Sequence, residues 1–234
     1  MSVILVFLLV VIGVAGWWLS QQRLMTKPWL EKGAGIDWEG AGATGLPTAK
    51  IGLGIFLAVV GALFALFASA YFMRMEFVDW QTPPLPRVIW LSTALLIASS
   101  IALHISVVSV RNGEIESTRL ALVTGGLTAL AFLGGQLLAW RELSAGGYLL
   151  ETNAANGFFY LMTGMHGLHI IGGLFGLAVT TRKAWSTPKD DQLRLNVELC
   201  AMYWHFLLFI WVAVLFLLAG WASDFIDICR QLLN

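Results

Sequence analysis

Residues 51–73 read IGLGIFLAVVGALFALFASAYFM, twenty-three consecutive positions without a charged side chain. At 1.5 Å rise per residue, a helix of that length crosses a hydrocarbon core of roughly 30 Å. The run is far too long for a barrel strand and carries no period of two, so it reads as a transmembrane helix. Working outward along the chain, the same reading gives spans at 2–20, 88–110, 119–140, 156–181 and 196–222. The expected fold is an all-α membrane protein, a six-transmembrane-helix bundle making one integral membrane domain over 1–234.

Composition agrees. The chain is 58% hydrophobic and 12% charged, with a mean hydropathy of +0.78. Soluble domains carry roughly a quarter charged residues, so a water-exposed surface could not be covered by what is present. Net charge is zero and no Lys/Arg cluster occurs, which gives no reason to expect a nucleic-acid partner. Cys200 lies in an apolar run and Cys229 near the end, without CxxC or Cys/His spacing; neither signals a metal site.

Pro, Gly and charge punctuate the spans. Pro47 precedes the second, Pro83, Pro84 and Pro86 precede the third, and Arg111-Asn112-Gly113 follows it. Gly146-Gly147 follows the fourth, and Thr187-Pro188-Lys189-Asp190-Asp191 precedes the sixth. Trp17, Trp18, Trp80, Trp90, Trp140, Trp185 and Trp221 fall near expected ends, as an aromatic belt requires. The stretch from Met1 to Leu19 lacks a basic start and an A-x-A site and closes on Trp17-Trp18 and Arg23, so it reads as a retained helix. Residues 21–48, Gly-rich and of mixed charge, read as an irregular loop.

Lys and Arg set the orientation. One set of loops holds Arg23, Lys27, Lys32, Lys50, Arg111, Arg119, Arg182, Lys183, Lys189 and Arg194; the other holds Arg74, Arg87, Arg141 and Arg230. Ten against four places the first set, with the 21–48 loop, in the cytoplasm and both termini outside.

Ionisable groups inside a membrane are costly and therefore the first functional suspects. Five qualify: His104, His166, His169, His205 and Glu198. His166 and His169, spaced i, i+3, share a helical face and have the chemistry to ligate iron, copper or a haem. The alternative is that they hydrogen-bond across a helix interface, helped by Gly164, Gly167, Gly172 and Gly173. Haem bundles need facing histidines on separate helices and di-metal sites need several carboxylates, which favours the second reading. Ser92-Thr93 and Ser99-Ser100 are expected to bond back to their own helix or to a neighbour. No Ser–His–Asp set, phosphate loop, carboxylate pair or chain of buried acids appears, which leaves a stand-alone transporter or a haem-binding membrane protein as minor alternatives.

Several stretches in order resemble subunit III of the haem–copper oxygen reductases, the cytochrome c oxidase family. Phe158-Phe159-Tyr160-Leu161-Met162-Thr163-Gly164-Met165-His166-Gly167-Leu168-His169-Ile170-Ile171-Gly172-Gly173 is similar to its FF…TG-x-HG-x-H…G signature. Glu198, then Tyr203-Trp204-His205-Phe206 and Trp211, resembles its E…YWHF…W helix. Pro83-Pro84 ahead of Leu91-Ser92-Thr93 and Leu95-Leu96-Ile97-Ala98-Ser99 is similar to its PP…LNT…LL-x-S pattern; Gln136 and Ala70-Tyr71-Phe72 fit as well.

The resemblance implies an accessory subunit without a redox cofactor, with haems and copper held by partner subunits I and II. Such a subunit packs against subunit I, binds phospholipids and sustains proton uptake, here in a terminal oxidase of a bacterial inner membrane. Third subunits of quinol oxidases and some nitric oxide reductases are similar. On this reading His166, His169, Glu198, Trp204 and His205 form an internal network fixing the last two helices, with lipid or subunit contacts nearby. The chain departs from the pattern in having six expected helices where the family usually has seven. Val60, Ala139 and Leu208 also stand where acids are often found.

Overall fold

The computed structural model describes residues 48–186 and 191–221. Among them the chain forms five helices and no strand: α1 (Thr48–Met75), α2 (Val88–Arg111), α3 (Ile115–Ala145), α4 (Ala154–Ser186) and α5 (Asp191–Leu218). Each contains an apolar stretch long enough to cross a membrane, and the chain is a multi-span membrane protein. The expected span 2–20 and the loop over 21–47 lie outside the described residues. Thr48 does not belong to that loop; it opens α1.

Four helices outrun the hydropathy of their sequences, α3 beginning at Ile115 and α4 reaching Ser186. Hydropathy marks only the lipid-buried part of a helix, whereas backbone hydrogen bonding continues into the headgroup region, where charged side chains are solvated. α5 is shifted, starting at Asp191 and ending at Leu218 rather than 222, because Gly220 takes φ 77° and its N–H donates to the Leu217 carbonyl in a closing turn.

Helices α2, α3, α4 and α5 pack in a ring, each against the next, and α1 lies outside against α4 and α5. The α2–α3 hairpin is the most intimate contact. Its turn is Asn112-Gly113-Glu114, with Gly113 at φ 78°. Small residues let the two backbones approach. A Cβ on Gly125 would lie 3.1 Å from Leu103, and one on Gly135 would collide with Ser92. The Ser99 hydroxyl donates across this contact to the Gly125 carbonyl at 2.7 Å. On the other side of the ring, a Cβ on Gly173 of α4 would come within 2.6 Å of the Trp204 and Tyr203 rings of α5.

The antiparallel order sorts the helix ends. One end holds the N-termini of α1, α3 and α5 with the C-termini of α2 and α4, and there lie Lys50, Arg111, Arg119, Arg182, Lys183 and Arg194. The other end is stitched by short polar contacts. Arg74 forks onto Asp79 at 2.9 and 2.5 Å. Asn153 caps α4 by accepting the Ala155 N–H at 2.8 Å and donates to the Asp79 carbonyl at 2.9 Å. Tyr71 meets Trp80 and Phe158 edge to face, with centroids 4.8 and 5.7 Å away, and Trp80 is tilted against Phe158 at 6.0 Å.

Candidate functional site

The five residues of the expected network separate into three places. At the basic end, Glu198 sits two turns into α5 with its side chain only 11% exposed. Lys50 Nζ of α1 donates to it at 2.6 Å, and Arg111 of α2 donates through Nη2 at 2.9 Å and Nε at 3.1 Å. Arg194, one turn earlier on α5, reaches it at 3.5 Å. One carboxylate thus ties α1, α2 and α5 together. The cations that share it carry long apolar stems, which let their heads gather at the membrane boundary.

In the middle of the ring, His166 of α4 is fully buried. Its imidazole lies 5.0 Å from the Trp211 ring, 5.8 Å from Phe132 and 6.4 Å from Phe64, a box of aromatic faces and edges. Neither ring nitrogen meets a protein hydrogen-bond partner. Trp211 is anchored in turn, its indole N–H donating to Thr93 Oγ1 of α2 at 3.0 Å. His169 also faces Phe64, at 5.8 Å, but its Nδ1 lies 2.7 Å from the Met165 carbonyl. A carbonyl only accepts, so Nδ1 carries the proton. Across the helix pair the Tyr203 hydroxyl donates to the His169 carbonyl at 2.8 Å. Trp204 is fully buried against Gly173, its indole N–H without a protein partner.

The third place is the α2–α5 seam. His205 Nδ1 lies 2.5 Å from Ser100 Oγ, and the His205 ring is 5.7 Å from that of His104. Both imidazoles are exposed on the outside of the bundle. Of the five, then, His169 and Trp204 join α4 to α5, whereas Glu198 and His205 fasten α5 to α1 and α2.

Among the described residues no three His, Cys, Asp or Glu side chains converge as a metal site would require. His166 is walled by rings rather than opposed by a second histidine, and His169 has committed Nδ1 to its own helix; this pair does not fit a haem. The serine expectation holds in both forms: Ser92 and Thr93 bond back to Val88 and Ile89, while Ser99 and Ser100 bond to neighbouring helices. Cys200 packs half-buried beside Thr180, 3.3 Å from its hydroxyl. Cys229 lies outside the described residues.

Lys50, Arg111, Ser100 and Tyr203 were not singled out from the sequence as site partners. The first two figured there only as topology signals, and nothing local announces that they meet a carboxylate 148 and 87 positions away.

A family model described as cytochrome c oxidase subunit III matches residues 50–223, a span that takes in almost every described residue. The chain belongs to the cytochrome c oxidase subunit III family. It is similar to the cytochrome c oxidase subunit 3 of Thermostichus vulcanus, 33% identical over 175 residues, covering 72% of this chain and 85% of that one. The cytochrome c oxidase subunit 3 of Synechocystis is 29% identical over 190 residues, 77% of this chain and 78% of its own length. The cytochrome bo(3) ubiquinol oxidase subunit 3 of Pseudomonas aeruginosa is 28% identical over 130 residues, 56% and 62% of the two chains. In this subunit III chain, Val60 and Ala139, expected above to depart from the pattern, are buried in the core, and Leu208 packs against it.

Proposed function

We propose that this chain is the accessory, cofactor-free third subunit of a terminal haem–copper oxidase of aerobic respiration in a bacterial inner membrane. It packs against the haem-bearing subunit I, alongside a subunit II, and supports turnover and proton uptake there. The single observation that carries this is the family match, which runs through all five described helices. The site geometry is consistent with it: Glu198, Ser99, Ser100 and Tyr203 bond across helix contacts. The whole chain, 1–234, acts as one integral membrane domain with the basic end and the 21–47 loop in the cytoplasm and both termini outside; the sorting of Lys50, Arg111, Arg119, Arg182, Lys183 and Arg194 to one end supports that orientation.

Phospholipids are the second class of partner. Between α3 and α4 runs a groove of about 630 Å³, walled by Leu122, Leu127, Leu130 and Leu177 and closed at the basic end by Arg182 and Trp185. An acyl chain fits such walls and a phosphate suits an arginine at the mouth.

The test is gentle detergent purification of the tagged chain, with a visible spectrum and mass spectrometry. The reading expects a haem-bearing oxidase subunit in stoichiometric amount, and haem absorbance that departs with it on dissociation. A chain that emerges alone, or that keeps haem after its partners are stripped, refutes it. The Pseudomonas aeruginosa relative gives a second reading, a quinol-oxidising complex. Oxidation of cytochrome c rather than a quinol by the same preparation separates the two.

A further inference from the structure

We propose that the α2–α5 seam at His104 and His205 is the face on which a transmembrane helix of the haem-bearing subunit docks, offering a hydrogen-bond acceptor to an imidazole N–H. The proposal rests on the accessory-subunit reading and adds to it a location and a chemistry.

Depth comes first. His104 precedes Arg111 by seven residues and His205 follows Glu198 by seven, which puts each ring about 10 Å inside the charged end of the bundle. Both therefore lie within the hydrocarbon, yet both are exposed on the outer surface. Polar groups facing acyl chains there have nothing to bond, and intramembrane histidines are found facing protein or water instead. His104 makes no hydrogen bond among the described residues, and its ring contact is with His205. Ser100 Oγ engages His205 Nδ1, so Nε2 of this exposed ring is without a partner among the described residues, and a Ser100 hydroxyl that donates to Nδ1 places the ring proton on that outward Nε2.

The flanks suit a helix. Ala94 and Ala98, one turn apart and both exposed, let a backbone come close, and Ile97, Ile101 and Phe209 extend the apolar surface on either side. An acceptor from another chain, a carboxylate, hydroxyl or amide oxygen, completes the seam.

The experiment places p-benzoylphenylalanine singly at Ile101 and Phe209, and at Leu127 and Leu130 on the α3–α4 groove, in cells producing the whole complex. Irradiated membranes are then solubilised and the adducts identified by mass. The expected result is covalent adducts to the haem-bearing subunit from Ile101 and Phe209, and little from Leu127 and Leu130. His104→Leu with His205→Leu should lower the haem-bearing subunit retained on the tagged chain by about tenfold, while His205→Gln, which keeps a donor, retains most of it. Adducts at Ile101 and Phe209 that are absent, made of lipid, or made of a second copy of this chain overturn the proposal. If the haem-bearing subunit co-purifies but cross-links from Leu127 and Leu130 instead, only this face is wrong; if none co-purifies, the accessory-subunit reading falls with it.

Discussion

Glu198 and His166 are both polar side chains in helices that cross the membrane, and their surroundings are opposite. Glu198 lies near an end, where three cations from α1, α2 and α5 reach it. His166 lies in the middle, where Phe64, Phe132 and Trp211 enclose it and no charge approaches. A carboxylate removed from water needs paired charge and hydrogen bonds, and only long basic side chains anchored at the boundary can bring them. A neutral ring needs only shape and tolerates aromatic packing. The depth of each residue therefore decides which solution is available to it.

The largest effect should come from Glu198→Ala, which leaves Lys50 beside unneutralised arginines and unties three helices. About 2–3 kcal/mol of stability should go, read as detergent thermal unfolding, the scale of lost hydrogen bonds to a charged group, since the cations left behind keep access to water. A loss below about 1 kcal/mol would mean the cluster behaves as a surface pair. Adding Lys50→Met to Glu198→Ala should recover part of the loss, since the two residues share one interaction.

Gly173→Ala comes next. The added methyl meets the Trp204 and Tyr203 rings at 2.6 Å, and overpacking of this kind costs about 1–3 kcal/mol. Unchanged unfolding together with unchanged tryptophan fluorescence would show that α4 and α5 separate more easily than the contact implies.

His166→Phe sharpens the comparison from the other side. If the box selects shape rather than polarity, the change costs less than about 1.5 kcal/mol. A loss well above that would reveal a polar partner for the ring and bring His166 closer to Glu198 in kind.

The smallest effect lies at the opposite end. The Arg74 guanidinium beside Asp79 holds its carboxyl below the ordinary carboxylate range, chiefly by hydrogen bonding. A lowered folded-state pKa adds stability above the unfolded value, and that stability is lost as pH falls through the folded one. Thermal unfolding should be flat from neutral pH to about 5 and decline slightly below about 4. Asp79→Asn should lessen that decline without abolishing it, because protonation of Glu198 also loosens its ion pairs, and an equal decline in the variant would assign it wholly to other carboxylates.

The helices were legible because unbroken apolar runs such as 51–73 admit no other reading, and Pro47 and Gly113 mark their edges. Lengths were less so: α4 continues past residue 181 through Arg182 and Lys183, a stretch too polar to count as membrane yet fully helical. For the site, the histidines and Glu198 stood out by their rarity, but their partners did not. Whether Glu198 meets Lys50, or His205 meets Ser100, depends on which helices adjoin and at what height, separations of 148 and 105 residues. Aromatic neighbours were harder still. Phe132 and Trp211, 5.0 Å apart at the centre, look in the sequence like any lipid-facing ring.

The grip of Glu198 on Lys50 also bears on how the chain is made. Lys50 is among the basic residues expected to dictate which way α1 enters the membrane. Were α1 threaded upside down, Lys50 would emerge at the far end of the bundle and Glu198 would lose the nearest of its cations. The same residue thus gives the insertion order and is later checked against it. A misthreaded molecule would carry a poorly neutralised carboxylate, and with it a loosened α5, exposing it to the proteases that clear failed membrane proteins.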